Sequence, residues 1–183
     1  MNFRYFLLLI AVFFLVGCDR VSNASPAEIV GLLTKCRDML NVCVLLLNQE
    51  SSIYYAYIAE RYYYAMYSLA RIVYGPSMMS DEKKGSHERI WESCPKQVKE
   101  VYGVRLKKMR VAADYGLSHS DLDDASYQKE LRDILMNKEA FNCLKDEVAS
   151  IYEEKSARPE FLYKCDVLIG VISGTVDIIR EKV

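Results

Sequence analysis

The chain has 183 residues, 51% of them hydrophobic, with charged residues at 27% and a formal net charge of −1. That length sets one domain as the starting expectation, and the apolar fraction is too high for a disordered chain. The near-neutral balance excludes the global basic excess of a non-specific nucleic-acid binder, so nucleic acid is not an expected partner.

Met1 to Gly17 reads MNFRYFLLLIAVFFLVG, with Arg4 as its only charge. Its apolar run, Tyr5 to Val16, is shorter than the roughly 20 residues a spanning helix needs, and a charged start before a short apolar run fits a secretory signal. Leu15-Val16-Gly17-Cys18 then resembles the lipobox of bacterial lipoproteins. The resemblance implies a signal peptide over 1–17, cleavage before Cys18, a lipid on the Cys18 thiol and a tether over 18–25. The membrane is then a partner through the anchor, on the outer face of the cytoplasmic membrane, and Asp19 resembles the inner-membrane retention signal of bacteria with two membranes. Two or more acyl chains hold a protein stably where one is marginal.

With Cys18 lipidated, five cysteines remain, Cys36, Cys43, Cys94, Cys143 and Cys165. An odd number leaves at least one thiol without a partner in its own chain. Cys36 and Cys43 stand seven residues apart on one expected helix, about 10 Å along its axis, too far to bridge. Neither a CxxC nor a Cys/His cluster with zinc spacing occurs, so no metal and no cofactor is expected, and Cys36, Cys43, Cys143 and Cys165 are expected as small buried hydrophobes.

Ser25-Pro26-Ala27-Glu28 is a capping box that opens a first helix. Ile29, Leu32, Leu33, Cys36, Leu40, Cys43 and Leu47 follow at helical spacing, and Asn48 to Ser51 breaks the run. The next helix, Ser52 to Tyr74, holds eight of the fourteen tyrosines and no Gly or Pro. It carries two adjacent apolar stripes, Ala56-Ala59-Tyr63-Met66-Ala70-Val73 and Ile58-Tyr62-Ala65-Leu69-Ile72, the pattern of a central helix covered on most sides. Its third stripe, Tyr57, Arg61, Tyr64, Ser68 and Arg71, is polar, either a solvated face or a place for function.

After a loop from Gly75 to Gly85, Ser86 to Trp91 reads as a short helical turn ended by Cys94-Pro95, with Trp91 capping one end of the core. Lys96 to Leu117 is a third long helix with Val98, Val101, Tyr102, Leu106, Met109, Ala112 and Ala113 inside. Lys96, Lys99, Arg105, Lys107, Lys108 and Arg110 face only Glu100 in sequence, which makes either a solvated face or an anion or lipid-headgroup surface. His119, Asp121, Asp123 and Asp124 sit in a polar loop whose spacing matches no calcium loop and suits a turn into a helix. Tyr127 to Glu154 is helical with a break near Asn137. Pro159 opens the last element, which Gly170 and Gly174 weaken. Val167 to Ile172 suits a strand as well, and helix is chosen because every other element is helical.

Three pieces occur in a recognisable order. Arg61-Tyr62-Tyr63-Tyr64-Ala65-Met66-Tyr67 with Ala70-Arg71 is similar to the RxYYAMF…AR motif of HEPN domains (higher eukaryote and prokaryote nucleotide-binding). Ser86-His87-Glu88-Arg89-Ile90 and Leu106 to Gly116, with Ala113-Asp114-Tyr115-Gly116 as its core, resemble two further segments of a small bacterial branch of that family. The resemblance implies an all-α fold, an up-and-down bundle of four to five antiparallel helices over 26–183, in a family whose members include ribonucleases and frequent dimers. The family's ribonuclease motif is an Arg, four to six residues, then a His. Here Tyr115, Gly116 and Leu117 fill the expected histidine positions after Arg110, and the nearest histidine is His119.

The expectation is therefore a membrane-anchored interaction or ligand-binding module, with an unknown protein partner or a homodimer. Its candidate polar cleft or structural network is Arg61, Tyr64, Arg71, Arg110, Asp114 and Tyr115. One alternative is a metal-independent ribonuclease with Arg110 as charge stabiliser and His119 as general acid and base. The other is a structural envelope lipoprotein.

Overall fold

A computed structural model describes residues 24–49, 54–75, 86–115 and 124–183, with Ser86, Asp114, Tyr115 and Asp124 described by their backbone alone. Helix α1 (Pro26–Leu47) begins at the expected box: the Ser25 side chain accepts from the Glu28 amide at 3.3 Å, and the Ser25 amide donates to the Glu28 carboxylate at 2.7 Å. Then come α2 (Tyr54–Tyr74), α3 (Ser86–Ser93), α4 (Lys96–Val98), a π-helical segment (Lys99–Leu106), α5 (Lys107–Tyr115), α6 (Asp124–Leu135), α7 (Lys138–Lys155) and α8 (Pro159–Lys182). The described residues are all-α and contain no strand. Val167 to Ile172, open to either reading in sequence, is part of α8. The break near Asn137 separates α6 from α7, where the Asn137 side chain caps α7 by accepting from the Ala140 amide at 2.9 Å.

Helix α2 is central. Every residue of its two apolar stripes is buried except Ala56, which is half-buried, and it packs against α1, α3, the π segment, α5, α6 and α7. Helix α8 lies along α1 and also meets α7. Its Arg180 is nearly enclosed and reaches past α8 to the end of α6. It donates to the Leu135 and Asn137 carbonyls at 3.1 and 3.4 Å, with its guanidinium 5.3 Å from the centre of the Phe141 ring. Carbonyls left over at a helix C-terminus need such donors.

The long third helix is not uniform. α4, the π segment and α5 run on without a break, and the eight π residues replace the regular spacing read from sequence. Val101, Tyr102 and Gly103 are buried in succession, which a 3.6-residue stripe accommodates poorly and a wider turn accepts. Gly103 lies hard against α3: a Cβ there would stand 2.8 Å from the Trp91 Cβ and 2.9 Å from its Cγ.

All five cysteines of the described residues are unbridged thiols, four buried and Cys143 half-buried. Burial pushes Cys43 up to about 12 and Cys165 up to about 11, and Cys36 higher still. These are inert core groups at neutral pH. The hydroxyls of Tyr62 and Tyr102 are also buried, on rings 6.2 Å apart, and neither finds a hydrogen-bond partner among the described residues. Burial holds both phenols well above their ordinary range, and for Tyr62 the neighbouring Tyr102 adds to the shift.

Two melting experiments follow. Ala65 is fully buried on α2, so Ala65→Glu places an unpaired charge in the core at a cost of several kcal/mol. Its circular dichroism melt should lose cooperativity, and an unchanged Tm would show that this face is not interior. Tyr62→Phe should leave Tm unchanged or raise it, because a buried hydroxyl without a partner carries a desolvation penalty of about 1–3 kcal/mol. A clear fall in Tm would mean that the hydroxyl is satisfied after all.

A candidate functional site around Tyr63, Tyr64 and Arg110

The third stripe of α2 is not a single face. Tyr57 is exposed, Arg61, Tyr64 and Arg71 are half-buried, and Ser68 is buried, with its hydroxyl donating back to the Tyr64 carbonyl at 2.8 Å. Tyr63 and Tyr67 are one turn apart on α2, and His87 and Trp91 are one turn apart on α3, so each helix offers two stacked rings to the other. His87 lies flat on Tyr67, with centroids 3.9 Å apart and planes 10° apart, and Trp91 tilts against Tyr63 and Tyr67 at 5.9 and 6.1 Å.

The hydrogen bonds order this cluster. Trp91 Nε1 donates to the Tyr63 hydroxyl oxygen at 3.0 Å, and that hydroxyl is 3.2 Å from His87 Nδ1. An indole N–H can only donate, so the Tyr63 oxygen accepts from it and the phenol proton is free to go to Nδ1. Whether His87 Nδ1 accepts from that hydroxyl or donates to it is set by the His87 tautomer. Burial raises the Tyr63 phenol, and the Trp91 hydrogen bond and the Arg110 charge oppose that rise only in part.

Arg110 closes the cluster from α5. It donates to the Tyr64 hydroxyl at 2.9 Å, and its guanidinium carbon stands 5.3 Å from the Tyr64 ring centre and 5.7 Å from that of Tyr63. Both distances fall within cation–π range.

The structure thus joins Tyr64 and Arg110, two of the residues expected in one cleft. Arg61 lies elsewhere, on an open groove of about 410 Å³ along α1 lined by Lys35, Asp38, Met39 and Val42 among others. Its guanidinium is 3.8 Å from the Glu60 carboxylate. Arg71 is in the last turn of α2, and Asp114 and Tyr115 end α5. Cys18, Asp19, His119, Asp121 and Asp123 lie outside the described residues.

Half of the cations in the basic stretch are matched by carboxylates from other helices. Lys99 meets Glu92 at 2.5 Å, Lys107 meets Glu88 at 3.8 Å and Arg105 meets Glu130 at 2.7 Å. The Arg105 hydrogen bond holds the Glu130 carboxyl below its ordinary range. Three of the six cations of this stretch therefore face acids. Among the described residues, no group of three or more His, Cys, Asp or Glu side chains converges to hold a metal.

Sequence reasoning placed His87 in a family-like segment and Trp91 in the core but did not join either to Tyr63, Tyr67 and Arg110. The available signal was the spacing of four in both ring pairs, Tyr63/Tyr67 and His87/Trp91. What no spacing shows is that the two pairs meet.

Arg110→Ala removes the ring contacts, about 0.5–2 kcal/mol, together with the hydrogen bond to Tyr64. Tyr64→Phe removes only the hydrogen bond, about 0.5–1.5 kcal/mol. Thermal melts should show Arg110→Ala several degrees below wild type and Tyr64→Phe between the two. If Arg110→Ala melts like wild type, the cluster does not stabilise the fold.

Comparisons with protein-family models, with curated proteins and with solved structures give no match to this chain.

Proposed function

We propose that this protein is a non-catalytic interaction or ligand-binding module, held at a membrane by lipid on Cys18 and built on a HEPN-like up-and-down bundle of four to five antiparallel helices. What supports the non-catalytic reading is the state of Arg110. Its guanidinium carbon lies within cation–π distance of two tyrosine rings and one of its nitrogens donates to a phenol, contacts that join α5 to α2. A residue that stabilises charge developing on a substrate has to direct its donors into an open site. His87, the histidine that shares these tyrosines, has Nδ1 directed at the buried Tyr63 hydroxyl. The lipoprotein part of the reading rests on Leu15-Val16-Gly17-Cys18 after a short apolar run.

Two measurements test the two halves separately. Cells fed labelled palmitate should label wild type and leave Cys18→Ala unlabelled, and equal labelling of both would end the lipid assignment. Purified wild type incubated with single-stranded RNA should leave it intact, as should Arg110→Ala and His119→Ala. RNA cleavage by wild type that is lost in both Arg110→Ala and His119→Ala would replace the module reading with the ribonuclease one.

A further inference from the structure

The groove of about 410 Å³ along α1 falls in the size range of small-molecule sites. Its lining is divided. Gly31, Met39 and Val42 are apolar, whereas Lys35 of α1 and Arg61 of α2 are cations. Among the described residues Lys35 makes no ion pair and no hydrogen bond. Arg61 makes only its 3.8 Å contact with the adjacent Glu60, too long for a hydrogen bond. The Arg61 side chain is 40% exposed, so more than half of it is covered while its guanidinium meets no acceptor. The acid in the lining, Asp38, is already taken: Arg37 donates to its Oδ1 from Nε at 2.9 Å and from Nη2 at 2.7 Å.

Beyond the cations the groove opens onto exposed hydrocarbon. Val42 is 38% exposed and Leu45, on the same side of α1, is 64% exposed. Tyr57, 52% exposed, joins them from α2. It lies one turn from Arg61 on the same face, and it precedes Ile58, whose carbonyl is 3.8 Å from the Cys43 thiol, so it stands beside Val42 and Leu45. At the rise of an α-helix, Lys35 and Leu45 are about 15 Å apart along the axis.

This layout selects the ligand. A purely apolar molecule would cover two cations without matching them, at a desolvation cost. A small inorganic anion would leave the apolar end bare. A bilayer surface fits less well, because docking on anionic headgroups takes clusters of about four to eight cations. A single negative charge suits the groove, since Asp38 and Glu60 stand close and repel a dianionic phosphate.

We infer that the groove between α1 and Arg61 binds a single-chain amphiphilic carboxylate, its head held by Lys35 and Arg61 and its hydrocarbon laid along Met39, Val42 and Leu45 to Tyr57. This gives the ligand-binding reading above a site and a ligand class, and it rests on that reading.

The test is photolabelling of the full chain in non-ionic detergent with dodecanoate that carries a diazirine near its methyl end, read by peptide mass spectrometry. Label should concentrate at residues 39–45 and at Tyr57, fall as plain dodecanoate is added, and stay at background with the matching neutral dodecanol probe. Lys35→Ala combined with Arg61→Ala should cut the labelling ~tenfold or more. Gly31→Glu gives a second arm that keeps the fold. A Cβ at Gly31 meets nothing within 4 Å, and Glu favours a helix over Gly, so its melt should hold or rise. Its carboxylate should repel the ligand head from the groove and lower the labelling as well. Equal labelling by the acid and alcohol probes, or labelling unchanged in both variants, would overturn the carboxylate site and leave the groove an apolar contact for detergent or lipid. Label no higher at residues 39–45 than elsewhere on the chain would overturn it too, whereas the ligand-binding reading fails separately, on RNA cleavage.

Discussion

The arrangement of helices follows from a conflict within α2. The helix is buried around most of its circumference, yet it carries tyrosines whose hydroxyls are costly to bury without partners. The fold resolves this one hydroxyl at a time, each with a different neighbour. Tyr63 is met by Trp91 and His87 of α3, Tyr64 by Arg110 of α5, and Tyr74 by Glu147 of α7. Apolar contact alone lets a helix slide or rotate at little cost, whereas a phenol that must find one particular donor or acceptor does not. The tyrosines therefore fix the height and rotation of three helices against the fourth. Tyr62 and Tyr102, whose buried rings lie against each other and whose hydroxyls make no hydrogen bond of standard geometry among the described residues, are held by packing instead.

The π-helical segment belongs to the same constraint. Trp91 must sit deep enough to reach the Tyr63 hydroxyl, and the rod carrying Gly103 must pass directly behind it. Farther along the rod, Met109 must point inward and Arg110 must reach the rings of Tyr63 and Tyr64. Each residue added to a turn rotates everything after it by about 100°. The wide segment from Lys99 to Leu106 therefore sets the face that α5 presents to α2, while the missing side chain at Gly103 admits the indole. A glycine and a widened turn, each unfavourable in an isolated helix, together let one rod serve two contacts.

Much of the fold was legible because its causes are local. The capping box at Ser25, the twin apolar stripes of α2, the stop at Asn137 and the proline start of α8 each lie within a few residues of what they determine. The site was legible only in part. Tyr64 and Arg110 are both visible as polar residues on helices, but they meet across 46 positions of sequence, and His87 meets Tyr63 across 24. Arg180 is the sharpest instance. In sequence it is one more basic residue in the last turn of a helix, where a cation is expected in any case. Its partners are carbonyls of Leu135 and Asn137, backbone groups that no residue pattern marks. The basic run from Lys96 to Arg110 was open to two readings for the same reason, since the acids that meet three of its cations come from α3 and α6.

The direction of the hydrogen bonds carries the reading of the cluster further than its composition does. A histidine, an arginine and several tyrosines in contact could equally be a catalytic group. What separates the cases is where protons and lone pairs point. Trp91 can only donate, so the Tyr63 oxygen accepts from it, and the same hydroxyl lies within hydrogen-bond distance of His87 Nδ1. That phenol is raised above its ordinary range by burial and holds its proton at neutral pH. His87 Nδ1 faces the buried Tyr63 hydroxyl. Arg110 adds its charge across the faces of Tyr63 and Tyr64 and spends a donor on Tyr64. Polar contacts of this kind, made between side chains of different helices, specify how those helices meet.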